Sequence, residues 1–415
     1  MSLQADLLAE IQRMPVIDVH SHLPHERPAA QSPAAVLLYH VFTVELMGAG
    51  LPEATVQRLQ SAHPAEADFA EWVAYWRRCR GTTLGRVVWK AARDLWGAAE
   101  EPSVEALAEL WQRGAETAAQ PGRAAEVFDR CRLVSSAGAR PIPPPAGAEP
   151  RVAWQLERGF WGVDAARALA EAGGEALTGA GRAGAFEERY AAWLAGQIAQ
   201  GANSMATSPP PGAWGDPGPT SLRLALNHLG DAQNISPAAR EALHCAQARG
   251  LLRCSQETGV PVAFGLGVVV LESWPLLGVA DDRPFLHWLM LTLKDFPRAR
   301  VIVIESNWSA VQSTCLAARQ CPNLYVGGHW WQSLYDTSTL EQMRHRLAAV
   351  PMNKVVGFFS DAYAAEWVYA RLLLCQEPLA QALAERIEAG RLTEDTALEI
   401  ARCWLHDNAA ELLAK

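Results

Sequence analysis

The chemistry this sequence could do starts from two histidines separated by one residue, in Asp18-Val19-His20-Ser21-His22. They follow an apolar run, Pro15-Val16-Ile17-Asp18-Val19, that reads as a β-strand. Side chains at i and i+2 on a strand share one face, so His20 and His22 point together. That is the arrangement two imidazole ligands need on one metal ion. The plainer reading is a pair of polar caps on a strand end, and the apolar strand leading into the pair favours the metal. A second group is Asp361, closing Phe358-Phe359-Ser360-Asp361. A carboxylate there supplies a third ligand, or the base that takes a proton from a metal-bound water or a substrate hydroxyl. Taken alone it reads better as the N-cap of a helix starting near Ala362.

The elements that must bring these groups together are short apolar runs separated by helical patterns. Eight read as strands: Val16–His22, Arg132–Ser136, Val152–Leu156, Ala202–Thr207, Val260–Leu266, Val301–Glu305, Asn323–His329 and Val355–Asp361. Eight β units in one chain of this length predict an α/β fold, a distorted (β/α)8 TIM-type barrel. Closure makes the first and last strands neighbours, which brings Asp361 to the two histidines. The long stretch after the first strand carries helical patterns at Phe69–Arg80, Leu84–Trp96 and Ser103–Arg113. It reads as a helical insertion subdomain, 24–130, over the catalytic face, with the barrel formed by 1–23 and 131–415. Two Pro/Gly loops, Ala137–Pro150 and Ser208–Thr220, follow strands, where function concentrates in a barrel.

Further candidates sit at strand ends. Glu305 ends the sixth strand and reads equally as a catalytic acid/base, a replacement ligand, or a buried carboxylate hydrogen-bonded to a loop. His329 ends the seventh strand and is a candidate catalytic residue. Trp330 and Trp331 follow it as a stacking or apolar wall, with core packing the alternative for one of them. Glu157 and Arg158, after the third strand, read as supporting neighbours only.

Composition narrows the partners. The 415 residues carry 36 Lys+Arg against 45 Asp+Glu, a net charge of −9, so nucleic acid is not expected. No apolar run is long enough to span a membrane, and no secretory segment opens the sequence. Eight cysteines without a CxxC pair predict reduced thiols and a cytoplasmic location. The expected partner is a small-molecule substrate, with a homo-oligomer left open.

The D-x-H-x-H segment together with Asp361 resembles the amidohydrolase superfamily, and more narrowly its uronate (glucuronate) isomerases. DVHSHLP resembles that family's opening motif. Tyr39–Leu51 resembles its next segment, keeping His40 and Gly50. Phe69–Gly97 resembles its paired helices, and Gly328-His329-Trp330-Trp331 its A-W-W-F. SDAYAAEWVYARLLL resembles its last strand and following helix, and Asp407-Asn408-Ala409-Ala410 its terminus. The resemblance implies one divalent metal held by His20, His22 and Asp361. Zinc is the first expectation, with Mn, Fe or Co as alternatives. It also implies His40 as a lid residue reaching the substrate, with Trp330, Trp331 and Tyr363 around it. The implied reaction is aldose–ketose isomerisation of a sugar acid.

The departures bear on the substrate. The family's strand-5 histidine has no counterpart in Val262–Gly267. Its arginine two residues after the strand-8 Asp is Tyr363 here. The arginines of the Tyr39–Leu51 segment are replaced by Val44 and Met47, and the R-P-D arginine has no convincing match beyond nearby Arg158. A carboxylate substrate favours a bidentate guanidinium. Two alternatives therefore stand beside isomerisation: a metal-dependent hydrolase or decarboxylase of a less anionic small molecule, and a non-catalytic relative.

Overall fold

A computed structural model describes residues 2–414, apart from 62, 119, 140–150, 158–159, 174–179, 216–217, 230, 271–276, 307 and 329–333. Eight parallel strands follow one another around a nearly closed barrel: β1 (Val16–Ser21), β2 (Leu133–Ala139), β3 (Val152–Glu157), β4 (Ser204–Thr207), β5 (Val262–Leu266), β6 (Val301–Glu305), β7 (Leu324–Gly327) and β8 (Val355–Val356). Each pairs in parallel with the next. The order is the one the eight apolar runs predict.

The alternation along the strands separates two apolar layers. Val262, Phe264, Leu266, Val301, Val303 and Val326 join the large core against the helices. Ile17, Val19, Ala206, Ala263, Ile302, Ile304 and Val356 form a second cluster inside the barrel. Ala409 and Leu412, on the terminal helix Asn408–Leu413, close that inner cluster from below. Asn408 fixes this plug by donating to the carbonyls of Met352 and Val355, each at 2.7 Å.

The seam between β8 and β1 explains why β8 is shorter than its apolar run. The Gly357 amide donates to the Trp404 carbonyl (2.7 Å) rather than to a strand. A side chain at 357 would meet Trp404 backbone and Cβ atoms at 3.0 Å, so glycine allows this approach. Beyond it the chain turns to β1. Val19 N donates to Phe358 O (3.4 Å), Asp361 N to His20 O (3.1 Å) and His22 N to Ala362 O (2.8 Å). Asp18 bridges the same seam. Its carboxylate accepts from Ser360 N (2.9 Å), Ser360 Oγ (2.6 Å) and Ser136 Oγ (2.8 Å). Burial pushes Asp18 up to about 6 against these hydrogen bonds. An antiparallel ribbon, Val268–Val270 with Leu277–Val279, follows β5. The apolar runs do not anticipate it, because its three-residue strands are too short to show a period.

Between β1 and β2 lie helices at Ala34–Leu37, His40–Gly48, Glu53–Leu59, Glu66–Cys79, Thr83–Trp96, Val104–Ala118 and Arg123–Arg130. Much of the tryptophan is spent here on packing. Trp72, Trp76 and Trp89 lie 6.2–6.5 Å apart, and Trp111 sits on Phe69 at 5.1 Å. Two contacts tie this layer to the barrel. Glu366, after β8, accepts from Ala30 N (2.8 Å) and faces Arg123 Nε at 3.5 Å. Tyr39 stacks on Trp367 at 3.7 Å.

Candidate metal centre

The strand-end histidines converge. The His20 and His22 rings stand edge to face with centroids 4.9 Å apart. His20 lies flat on Phe359 (4.7 Å), within a stretch where β1 shifts register against β2. His22 lies flat on Tyr363 (4.5 Å), which is half exposed at the mouth. Asp361 comes to both from the β8 side. Its Oδ1 is 3.6 Å from His20 Nε2 and 3.1 Å from His22 Nε2.

The backbone at Asp361 is built for this placement. Its φ of 53° lies in the left-handed region, which Asp and Asn tolerate better than most residues. Its amide is held by His20 O, and its carbonyl accepts from the Tyr39 hydroxyl at 2.6 Å. The carboxylate is therefore aimed by three elements: the β8 extension, β1 and the segment before helix His40–Gly48.

Both histidines are also held from β3. His20 Nδ1 contacts Gln155 Oε1, and His22 Nδ1 lies 3.5 Å from Glu157 Oε2. Ligand atoms of His20, His22 and Glu157 gather within 4.8 Å of one another. Two carboxylates thus flank His22, Asp361 at Nε2 and Glu157 at Nδ1. Both rings present Nε2 to the same Asp361 oxygen, so an ion shared by the two rings and Asp361 would be held on the Nε2 side.

Charge is concentrated and desolvated here. Burial works to lower His20, but the Asp361 hydrogen bond and the charges of Glu157 and Asp361 outweigh it and push the ring up to about 9. Burial works to raise Asp361, and the two histidines hold it well below the usual carboxylate range. Burial lowers His40 to about 4, so it is neutral at pH 7. His40 packs edge-on against Tyr39 (4.3 Å) and Tyr363 (5.2 Å), which puts it beside the mouth. Buried Arg371, on the helix Ala365–Glu388, is lowered by burial while Tyr39, Asp361 and Asp18 oppose the shift.

The donor set suits a divalent ion. Donors about 2.0–2.1 Å from a tetrahedral centre stand about 3.3 Å apart. The two Asp361 contacts, 3.6 and 3.1 Å, bracket that spacing. Two imidazoles and a carboxylate also carry the charge and softness that zinc, manganese, iron and cobalt all accept.

Glu305 is the candidate that the structure moves elsewhere. Ile302 and Ile304 point into the barrel, so Glu305 points out, between sheet and helices. Its oxygens are taken by Thr314, Gln342 and Arg346, all on the outer helices Val311–Gln320 and Asp336–Ala349. Neither the acid/base nor the ligand reading fits that position; it is the buried, hydrogen-bonded carboxylate. His329, Trp330, Trp331 and Arg158 lie outside the described residues. Gln155 and Tyr39 are additions that the sequence pattern did not single out, and Glu157 stands closer to the histidines than a supporting role implied. Residues 155 and 157 share the inner face of β3, a parity readable in the sequence once the strand is placed.

No family model and no curated protein sequence matches this chain. Solved structures do. A uronate isomerase from Thermotoga maritima is 13% identical with a TM-score of 0.79, covering 99% of this chain and 97% of its own. Glucuronate isomerase from Caulobacter crescentus is 16% identical with a TM-score of 0.79, covering 99% and 93%. A uronate isomerase from Bacillus halodurans C-125 is 16% identical with a TM-score of 0.73, covering 99% and 96%. At these identities the likeness is one of fold, and it runs the whole length of the chain: the protein is built as a uronate-isomerase-like distorted barrel.

Proposed function

We propose that this protein is a metal-dependent aldose–ketose isomerase acting on a sugar acid, with His20, His22 and Asp361 as the metal ligands. The observation that carries the reading is the meeting of two imidazole nitrogens and one carboxylate oxygen at the mouth of a barrel shared with solved uronate isomerases. A divalent ion held there supplies polarisation of the sugar's carbonyl and neighbouring hydroxyl oxygens.

The chain's own residues supply the rest. Isomerisation moves a proton between adjacent carbons, so it needs a group that accepts and returns one. Asp361, ionised and aimed at the mouth, is the proposed acceptor. His40, neutral and beside Tyr363, is placed to bind a substrate hydroxyl. Tyr363 presents a half-exposed aromatic face where the resembling family has a guanidinium. That difference favours a second reading, a metal-dependent hydrolase or decarboxylase of a less anionic substrate.

Incubating the protein with D-glucuronate or D-galacturonate in D2O, with Zn, Mn, Fe or Co supplied separately, tests the choice by proton NMR. A ketose product, or deuterium at the carbon beside the carbonyl, is expected. Neither signal from either uronate with any metal, joined to turnover of a lactone or ester, would replace isomerase by hydrolase.

Metal uptake should also depend on pH in a defined direction. His20 keeps a proton up to about pH 9 in the metal-free protein, and coordination must release it. Affinity should rise about tenfold per pH unit per released proton, then level off above about pH 9. Calorimetry in buffers of different ionisation heat counts the protons. None released at neutral pH, joined to a His20 titration by NMR showing the ring protonated there before metal is added, would show that the ion does not bind through His20.

A further inference from the structure

We propose that Gln155 and Glu157, two residues apart on the inner face of β3, are positioning residues that hold both imidazoles with the proton on Nδ1 and Nε2 turned to Asp361. This rests on the reading of His20, His22 and Asp361 as metal ligands.

The first half of the argument is the amide of Gln155. Its Nε2 donates to the Val19 carbonyl at 3.0 Å and to Ser204 Oγ at 2.9 Å. A carbonyl only accepts, so the amide nitrogen is fixed on that side. Oε1 must then face His20 Nδ1, and a carbonyl-type oxygen there requires an N–H. Gln155 is fully buried, and Ser204 is buried beside it, so the contact is shielded from bulk solvent. The second half is Glu157. Its carboxylate oxygen lies 3.5 Å from His22 Nδ1, and an ionised carboxylate can only accept, so the proton between them belongs to the ring. In both rings the remaining nitrogen, Nε2, is the one beside Asp361 Oδ1.

The geometry therefore pairs an i, i+2 set at the end of β1 with an i, i+2 set on β3, across the intervening β2. His20 answers to Gln155, and His22 to Glu157. Orienting a ligand imidazole through its far nitrogen typically changes metal affinity 10- to 100-fold. The two orienting groups differ in kind. Gln155 is neutral and locked by three contacts, whereas Glu157 adds a negative charge beside the cluster. The ring it faces, His22, is also the one nearer the mouth and Tyr363.

The test is long-range proton–nitrogen NMR on protein carrying 15N-labelled histidine, metal-free at a pH that neutralises both rings and again with Cd bound. Both rings should show Nδ1–H, with cadmium on Nε2. Co titrations followed by visible absorption should show Gln155→Leu and Glu157→Leu each weakening binding about 10- to 100-fold, and Glu157→Gln recovering most of the loss. Cadmium on Nδ1 of His22 would make Glu157 a ligand and overturn the proposal. Unchanged Co affinity in both leucine variants would overturn it as well. Nδ1–H rings in a wild-type protein that takes up no ion would instead sink the metal reading and leave the positioning intact.

Discussion

Replacing Asp361 with asparagine should lower isomerase turnover by about 100- to 10,000-fold, the range expected when a positioned proton-transfer group is lost, and strip most of the bound metal. The substitution keeps the shape of the side chain. It also keeps the backbone, because Asn accepts the left-handed conformation at φ 53° as readily as Asp. The contacts that fix position 361, from its amide to His20 O and from Tyr39 to its carbonyl, use main-chain atoms and survive. What disappears is the charge facing both Nε2 atoms. His20 loses the Asp361 charge that helps hold it near 9, while Glu157 and Gln155 remain, so its titration should fall. Turnover, metal content by elemental analysis and the His20 titration by NMR should therefore move together while the melting curve stays cooperative. The helix-capping role that the sequence position alone suggests is not open to Asp361, because the helix begins at Ala365 with Ala364 as its N-cap and no side chain capping it. A variant with wild-type metal content and turnover would therefore remove Asp361 from both metal binding and proton transfer.

The same residue shows what kind of information a sequence holds. The strands β5, β6 and β7 are legible because both faces of a barrel strand are buried, which writes itself as an unbroken apolar run. Their parallel order then carries Asp361 to His20 and His22 without any local signal linking them. The end of β8 is less legible: the amide of Gly357 goes to Trp404, and no pattern in residues 355–361 announces a partner in a distant helical turn. Gln155 is silent for another reason. A neutral amide has no chemistry of its own to single it out, and its role exists only through the ring it orients. Glu305 is the opposite case. Its type and its place at a strand end suggest a site, but the parity of Ile302 and Ile304 turns it outward. In the sequence Val301–Ile304 is apolar on both faces, so which way Glu305 turns is settled only by the packing.

That outward position carries the second large effect, on stability rather than on chemistry. Glu305 and Arg346 are both fully buried, and the guanidinium that meets the carboxylate also donates to Gly328 O at 2.8 Å and Gly327 O at 3.2 Å. Arg346 thus joins the end of β6 to the end of β7 from the helix side. Removing one partner leaves an uncompensated buried charge, which costs about 3–5 kcal/mol. Arg346→Met should therefore shift the urea midpoint strongly, and Glu305→Leu should do so as well. The double variant Glu305→Leu with Arg346→Met should recover part of the loss, because no charge remains without its partner. Recovery should stay incomplete, since the two glycine carbonyls still lose their donor. Metal content should be unchanged in all three proteins, because the pair lies on the far side of the sheet from His20, His22 and Asp361. If instead the single variants lost metal as readily as they lost stability, Glu305 would have to be returned to the site, and the inner and outer faces of β6 could not be as separate as their packing makes them.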